Sequence, residues 1–226
     1  MINFNDSPKV IAWKKAIEQT GCTIHSIDPL KVLHKGNRDV LFALIKADIS
    51  APDGQKLLPY VFIRGDAVIV VPLIRNSDTG EERFLMVEQR RVANGDIALE
   101  FPAGMLDHLV DSPRKVAVRE LEEETGVRIT EEDIHSLVEK PLYSSPGASD
   151  EAIYFYGCII EMNNEQFQSL EGRLTGDISE QEHIRVTLKS REEVLPAISS
   201  VQVYLAFDLF DRFYRHSGKK NVRDNI

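Results

Sequence analysis

From Asp66 to Ile74 the chain reads Asp-Ala-Val-Ile-Val-Val-Pro-Leu-Ile, an almost unbroken apolar run. Side chains along a strand alternate between two faces, so a strand with one wet face would be polar at every second position. A run without that alternation requires a strand buried on both faces. The chain must therefore supply covering layers above and below a central sheet.

The segments downstream of this run provide them. Phe-Leu-Met-Val-Glu-Gln-Arg-Arg-Val (84–92) is a second strand with a basic end, reached through a polar turn from Asn76 to Glu82. Ile-Ala-Leu-Glu-Phe-Pro-Ala-Gly-Met-Leu (97–106) is a third, stopped by Pro102 and Gly104. A helix is predicted from Pro113 to about Thr125, with Ser112 as N-cap and Gly126 as its C-terminal stop. The segments 151–160 and 182–190 read as further strands, and 192–198 and 201–216 as the closing helices. The predicted class is α+β, an α/β/α sandwich with a mixed sheet. The aromatic positions of the last helix, like Trp13, read as core or dimer packing rather than as base-stacking surfaces.

Residues 1–64 read differently. Ser7-Pro8 opens a short helix up to Gly21, and residues 22–64 form strands, with Asp53-Gly54 as a hairpin turn. This front section shows no chemistry and is expected to be a small antiparallel sheet domain used in packing or dimerisation. The expected boundaries are thus 1–64 and 65–226.

Composition narrows the partners. With 42% hydrophobic residues the chain can bury a core, and a net charge of −9 disfavours nucleic acid and anionic membranes. The same charge repels phosphorylated substrates, so an enzyme acting on them needs bound cations. Cys22 and Cys158 match no metal-ligand spacing and are expected to be free, buried thiols. No apolar run approaches signal-peptide or membrane-helix length, and a soluble cytoplasmic protein is expected.

The chemistry concentrates around the predicted helix at 113–125. Glu120, Glu123 and Glu124 stand at i, i+3 and i+4, so one helical face carries three carboxylates. Like charges at this spacing repel, and an exposed acidic face is the plain alternative reading. Hard divalent cations compensate such a cluster well, because magnesium and manganese prefer carboxylate oxygens. The Pro-Ala-Gly turn leading out of the preceding strand can turn backbone carbonyls toward the same ions, and Arg119 can orient a neighbouring carboxylate.

The run Arg119-Glu-Leu-Glu-Glu-Glu-Thr-Gly-Val127 resembles the second half of the Nudix box, G-x5-E-x7-R-E-U-x-E-E-x-G-U with U apolar. Arg119, Glu120, Leu121, Glu123, Glu124, Gly126 and Val127 all match. The first half departs: the family's first glutamate falls on Asp111, and six residues rather than five separate it from Gly104. Glu-Phe-Pro-Ala-Gly-Met before the box, Ser-Pro-Gly-Ala-Ser-Asp-Glu after it and a late Glu-Gln-Glu-His-Ile-Arg-Val are similar to the ADP-sugar pyrophosphatase branch.

The resemblance implies a magnesium enzyme, with manganese able to substitute, that hydrolyses ADP-ribose or ADP-glucose to AMP and a sugar phosphate. It implies metal ligands at the Ala103 carbonyl, Glu120, Glu123 and Glu124, and a catalytic set that includes Arg119 and Glu123. It implies substrate contacts at Gln89, Arg91, Glu100, Gly104 and Glu151, the last on the sugar side. A helix carboxylate bound to a cation is a poor base, so the proton acceptor is expected in the loop 172–183. There the resemblance points to Glu180, with Glu182 as the alternative. It also implies a homodimer sharing the N-terminal sheet. Two other readings stay open: a Nudix hydrolase of another substrate, such as GDP-mannose, a dinucleotide or a capped RNA, and a non-catalytic ligand-binding regulator.

Overall fold

The computed structural model describes residues 3–35, 39–106, 112–176 and 183–216. The chain resolves into two compact units. The smaller comprises residues 1–67, 105–111 and 142–153, and the larger comprises 68–104, 112–141 and 154–226.

In the smaller unit, helix α1 (Pro8–Gln19) precedes the strands β1 (Thr23–Lys35), β2 (Asp39–Ser50) and β3 (Tyr60–Ile63), which form an antiparallel sheet in the order β1-β2-β3. Pro8 occupies the first helical turn, where its missing N–H costs nothing. Val10 and Trp13 of α1 share one buried cluster with Val40, Ile45, Ile49 and Ile63 of the sheet, so Trp13 is a core residue. Asp53-Gly54 makes the predicted turn: the Gly54 amide donates to the Ala51 carbonyl at 2.9 Å, and glycine accommodates φ of 86°.

The remaining strands are β4 (Ala67–Asn76), β5 (Glu82–Arg90), β6 (Ile97–Glu100), β7 (Ala103–Met105), β8 (His135–Ser136), β9 (Leu142–Tyr143), β10 (Ala152–Met162), β11 (Leu174–Thr175) and β12 (Ile184–Lys189). They form one sheet in the order β11-β12-β5-β4-β10-β8, with β6 on β5, β7 on β4 and β9 on β10. The helices are α2 (Pro113–Thr125), α3 (Asn164–Gln168), α4 (Arg191–Val194) and α5 (Val201–His216). Every residue of β4 but Arg75 is buried, as the unbroken apolar run requires.

The stretch 97–106 forms two strands rather than one. After Glu100 the chain turns at Phe101-Pro102, leaves β5, and runs beside β4 as β7. Proline has no amide to continue the first ladder, while its carbonyl accepts from Val70 at 2.9 Å and starts the second. Phe101, at the turn, packs edge-to-face against Phe84 of β5 and Phe207 of α5, with centroids at 6.0 and 5.0 Å. Phe207, Phe210 and Tyr214 of α5 are therefore core, while Tyr204 stays exposed.

Both cysteines are free; Cys158 is buried, whereas Cys22 is only half-buried. Burial pushes the Cys158 thiol up to about 12, which keeps it protonated and inert at neutral pH. Among the described residues no helix is long and apolar enough to cross a membrane.

Candidate active site

Helix α2 begins and ends where its sequence dictates. The Ser112 hydroxyl accepts from the Lys115 amide, Pro113 occupies the first turn, and Gly126 closes the helix at φ 74°. The buried positions include Ala117, Leu121 and Glu124, a stripe at i, i+4 and i+7. Glu124 thus occupies a core-facing position where an apolar residue would stabilise the fold more.

A buried carboxylate is costly unless it is hydrogen-bonded. Glu124 Oε2 accepts from the Ala103 amide of β7 at 3.1 Å. Its backbone carbonyl accepts from the Thr175 hydroxyl of β11. One residue on, the Thr125 carbonyl accepts from Arg173 Nη1 at 3.1 Å, placing a cation at the negative end of the helix. A side chain at Gly126 would lie 2.6 Å from that guanidinium, so this glycine supplies space as well as left-handed backbone.

Glu120 reaches the next residue of β7. A Cβ at Gly104 would lie 2.1 Å from the Glu120 Cδ, so the absence of a side chain there is what admits the carboxylate. Arg119 Nη2 lies 3.3 Å from Glu120 Oε1, and Arg119 Nε lies 3.9 Å from Glu123 Oε1. Glu123 is the outermost of the three, its side chain 60% exposed against 16% for Glu120. The structure therefore brings Ala103, Gly104, Arg119, Glu120, Glu123 and Glu124 together where β7 meets α2.

Among the described residues, no three His, Cys, Asp or Glu side chains converge closely enough to enclose a metal ion. The donor chemistry at the β7–α2 junction nevertheless fits a hard cation: two partly or fully buried carboxylates beside the backbone of Ala103 and Gly104, with no softer donor among them.

The other predicted residues fall at three places. Arg91 forms a forked contact with Glu100 Oε2, at 2.9 Å from Nε and 2.5 Å from Nη2, tying the end of β5 to β6. Gln89 stands opposite Ala98 in the β5–β6 ladder and lines a cavity in the larger unit. Glu151 belongs to the smaller unit, where it pairs with Arg64 Nε at 2.6 Å and accepts from the Ser144 hydroxyl at 2.6 Å. Its neighbour Asp150 accepts from the Arg64 and Gly65 amides at 2.7 and 3.0 Å, and burial raises its pKa against those hydrogen bonds. Glu180, Glu182 and Asp111 lie outside the described residues.

Comparison with known proteins gives the family. The NUDIX domain profile matches residues 63–199. The chain is 34% identical to Nudix hydrolase 14, chloroplastic, of Arabidopsis thaliana over 182 residues, which are 77% of this chain and 58% of that protein. It is 29% identical to the ADP-ribose pyrophosphatase of Bacillus subtilis (strain 168) over 157 residues, 70% of this chain and 75% of that one. A solved structure described as an ADP compounds hydrolase superposes with a TM-score of 0.61 at 18% identity, covering 88% of this chain and 97% of that one, which shows the fold. The chain belongs to the Nudix family. The resemblance to the ADP-ribose and ADP-sugar pyrophosphatase branch, read from the box and its flanks, is borne out by these relatives. The chain spans 58% and 54% of the length of the first two curated relatives it matches.

Proposed function

We propose that this chain is a pyrophosphohydrolase that uses a divalent cation, magnesium or manganese, to cleave ADP-sugars such as ADP-ribose and ADP-glucose into AMP and a sugar phosphate. The observation that carries the reading is Glu124. A carboxylate placed on the core-facing stripe of α2, held by the Ala103 amide and beside a second carboxylate seated on Gly104, is a poor choice for stability and a good one for gathering cations. The names of the relatives, which include ADP-ribose and ADP-sugar pyrophosphatases, support the substrate class.

The protein's contribution divides among its elements. Glu120, Glu124 and the Ala103 carbonyl would hold the cation, with Glu123 at the outer edge. A divalent cation there supplies charge neutralisation of the pyrophosphate bridge and acidifies the attacking water. Arg119 braces Glu120 and Glu123 against their mutual repulsion. Arg91, held by Glu100, is preset to meet a phosphate or ribose. Glu180, with Glu182 as the alternative, would accept the proton of the attacking water. The N-terminal sheet would join two copies into a homodimer, which light scattering at micromolar concentration checks.

A panel of nucleotide-sugars tests the reading. ADP-ribose and ADP-glucose should turn over to AMP with magnesium or manganese, and EDTA should stop the reaction. Full activity in EDTA, or preference for GDP-mannose over every ADP-sugar, overturns it.

A further inference from the structure

The last turn of an α-helix cannot hold itself. Its final carbonyls have no donor within the helix, so helix ends fray. In α2 the Gly126 amide takes one of these carbonyls, that of Glu122, at 2.7 Å. Glu124, the buried one among Glu120, Glu123 and Glu124, sits in this same turn.

Two donors from one short stretch of chain meet the next carbonyls. The Thr175 hydroxyl donates to the Glu124 carbonyl, and Arg173 Nη1 donates to the Thr125 carbonyl at 3.1 Å. Gly126 at φ 74° already stops the helix, so these donors do more than end it.

The stretch that supplies them is itself fixed to the sheet. Leu174 and Thr175 of β11 pair with Arg185 and Ile184 of β12, and the Arg173 carbonyl accepts from the Val186 amide at 2.8 Å. Ile184 and Val186 are buried, and β12 pairs with β5 from Arg185 to Lys189. Arg173 Nη2 reaches the Ser169 carbonyl at 3.4 Å, which brackets the guanidinium. All these residues belong to the larger unit.

Glu124 is therefore tied at two points. Its backbone is tied to β11, and its carboxylate to the Ala103 amide of β7. The second tie orients the carboxylate only while the first keeps the backbone in place. A frayed last turn would carry the carboxylate away from β7, and a magnesium ion requires its oxygens at about 2.0–2.1 Å in near-octahedral geometry.

We propose that Thr175 and Arg173 are positioning residues that set the site's affinity for its cation, by holding the last turn of α2, and Glu124 with it, against β7. The proposal rests on the reading of Glu120 and Glu124 as cation ligands.

The test is manganese binding to the EDTA-stripped full chain, followed by electron paramagnetic resonance, which needs no substrate and no turnover. Thr175→Val keeps the side-chain shape and removes the hydroxyl. It should weaken manganese binding about 10–100-fold, the range for groups that orient a metal ligand. Thr175→Ser should restore most of the affinity, and Arg173→Met should lower it in the same direction as the valine variant. Ser112→Ala removes the cap at the far end of the same helix. It should lower the melting temperature by an amount similar to Thr175→Val and leave manganese affinity at the wild-type value. In a Glu124→Gln background Thr175→Val should weaken binding no further, because the group it positions is gone. Wild-type affinity in both Thr175→Val and Arg173→Met overturns the proposal and leaves the cation reading standing. An equal loss in Ser112→Ala overturns it too, since helix stability alone would then govern the site, and so do additive losses in the double variant. A wild-type chain that binds no manganese overturns the proposal and the cation reading together.

Discussion

Gly104→Ala separates the site from the fold without altering any charged group. The new methyl carbon would sit 2.1 Å from Glu120 Cδ and 2.4 and 2.5 Å from its two oxygens, where ordinary contact begins near 3.4 Å. The carboxylate must retreat by more than an ångström. It can do so cheaply, because it is the far end of a flexible side chain and an off-rotamer χ costs only about 0.5–1.5 kcal/mol. The folding penalty should therefore stay near 1 kcal/mol. Catalysis has no such tolerance: misplacing a reacting constellation by about 1 Å costs on the order of 10²-fold. Turnover of ADP-ribose under saturating magnesium should fall by that factor while the thermal midpoint moves by only a few degrees. Wild-type turnover in Gly104→Ala would refute the reasoning. So would a loss of activity fully explained by unfolding at the assay temperature.

Arg91→Ala should raise KM for ADP-ribose with little change in kcat, losing a charged contact of about 1.5–3 kcal/mol, and a kcat effect alone would contradict a binding role. Glu180→Gln should lower kcat by roughly 10²–10⁴-fold with KM unchanged, while near-normal kcat there and a large loss in Glu182→Gln would move the proton acceptor to Glu182. Asp150→Ala should destabilise the protein by on the order of 2 kcal/mol, because two amides lose the oxygen they share, whereas Asp150→Asn keeps an acceptor. Burial raises the Asp150 pKa, so its ionisation weakens the wild-type fold as pH climbs from the ordinary carboxylate value through the raised one; melting curves of the asparagine variant should lack that decline.

The sequence and the structure part company in instructive places. Helix α2 was legible from Ser112 to Gly126 because cap, proline, apolar stripe and glycine stop all lie within one local segment. The burial of β4 was legible for the same reason. The break that turns 97–106 into β6 and β7 was not, since it depends on β5 and β4 each claiming one half as a ladder partner. Nor were β8, β9, α3 and β11, which span only two to five residues and carry too few positions to show a period. At the site, the three glutamates and Arg119 were found by spacing. Arg173 and Thr175 were missed, because their hydrogen bonds to the end of α2 cross about fifty positions in the chain and leave no local pattern.

Glu124 gives the sharpest conflict between stability and function. Its side chain lies on the stripe that Ala117 and Leu121 bury, its carboxylate is held by the Ala103 amide, and its carbonyl by Thr175. Three contacts thus fix the rotation and end of α2 around a charge the core disfavours. Glu124→Gln keeps an oxygen for the Ala103 amide and removes the charge, so stability should change by less than about 1 kcal/mol, with a gain as the favoured sign. Glu124→Ala removes the acceptor too, leaves a buried N–H unsatisfied, and should cost about 1–3 kcal/mol. Both should lose turnover by on the order of 10²-fold or more, since each deletes a charged oxygen ligand. Stability measured by denaturant midpoint and turnover measured with magnesium should therefore separate in the glutamine variant and fall together in the alanine one. Glutamine as destabilising as alanine would mean that the charge itself holds α2 in place, and wild-type turnover in either would remove Glu124 from the cation site.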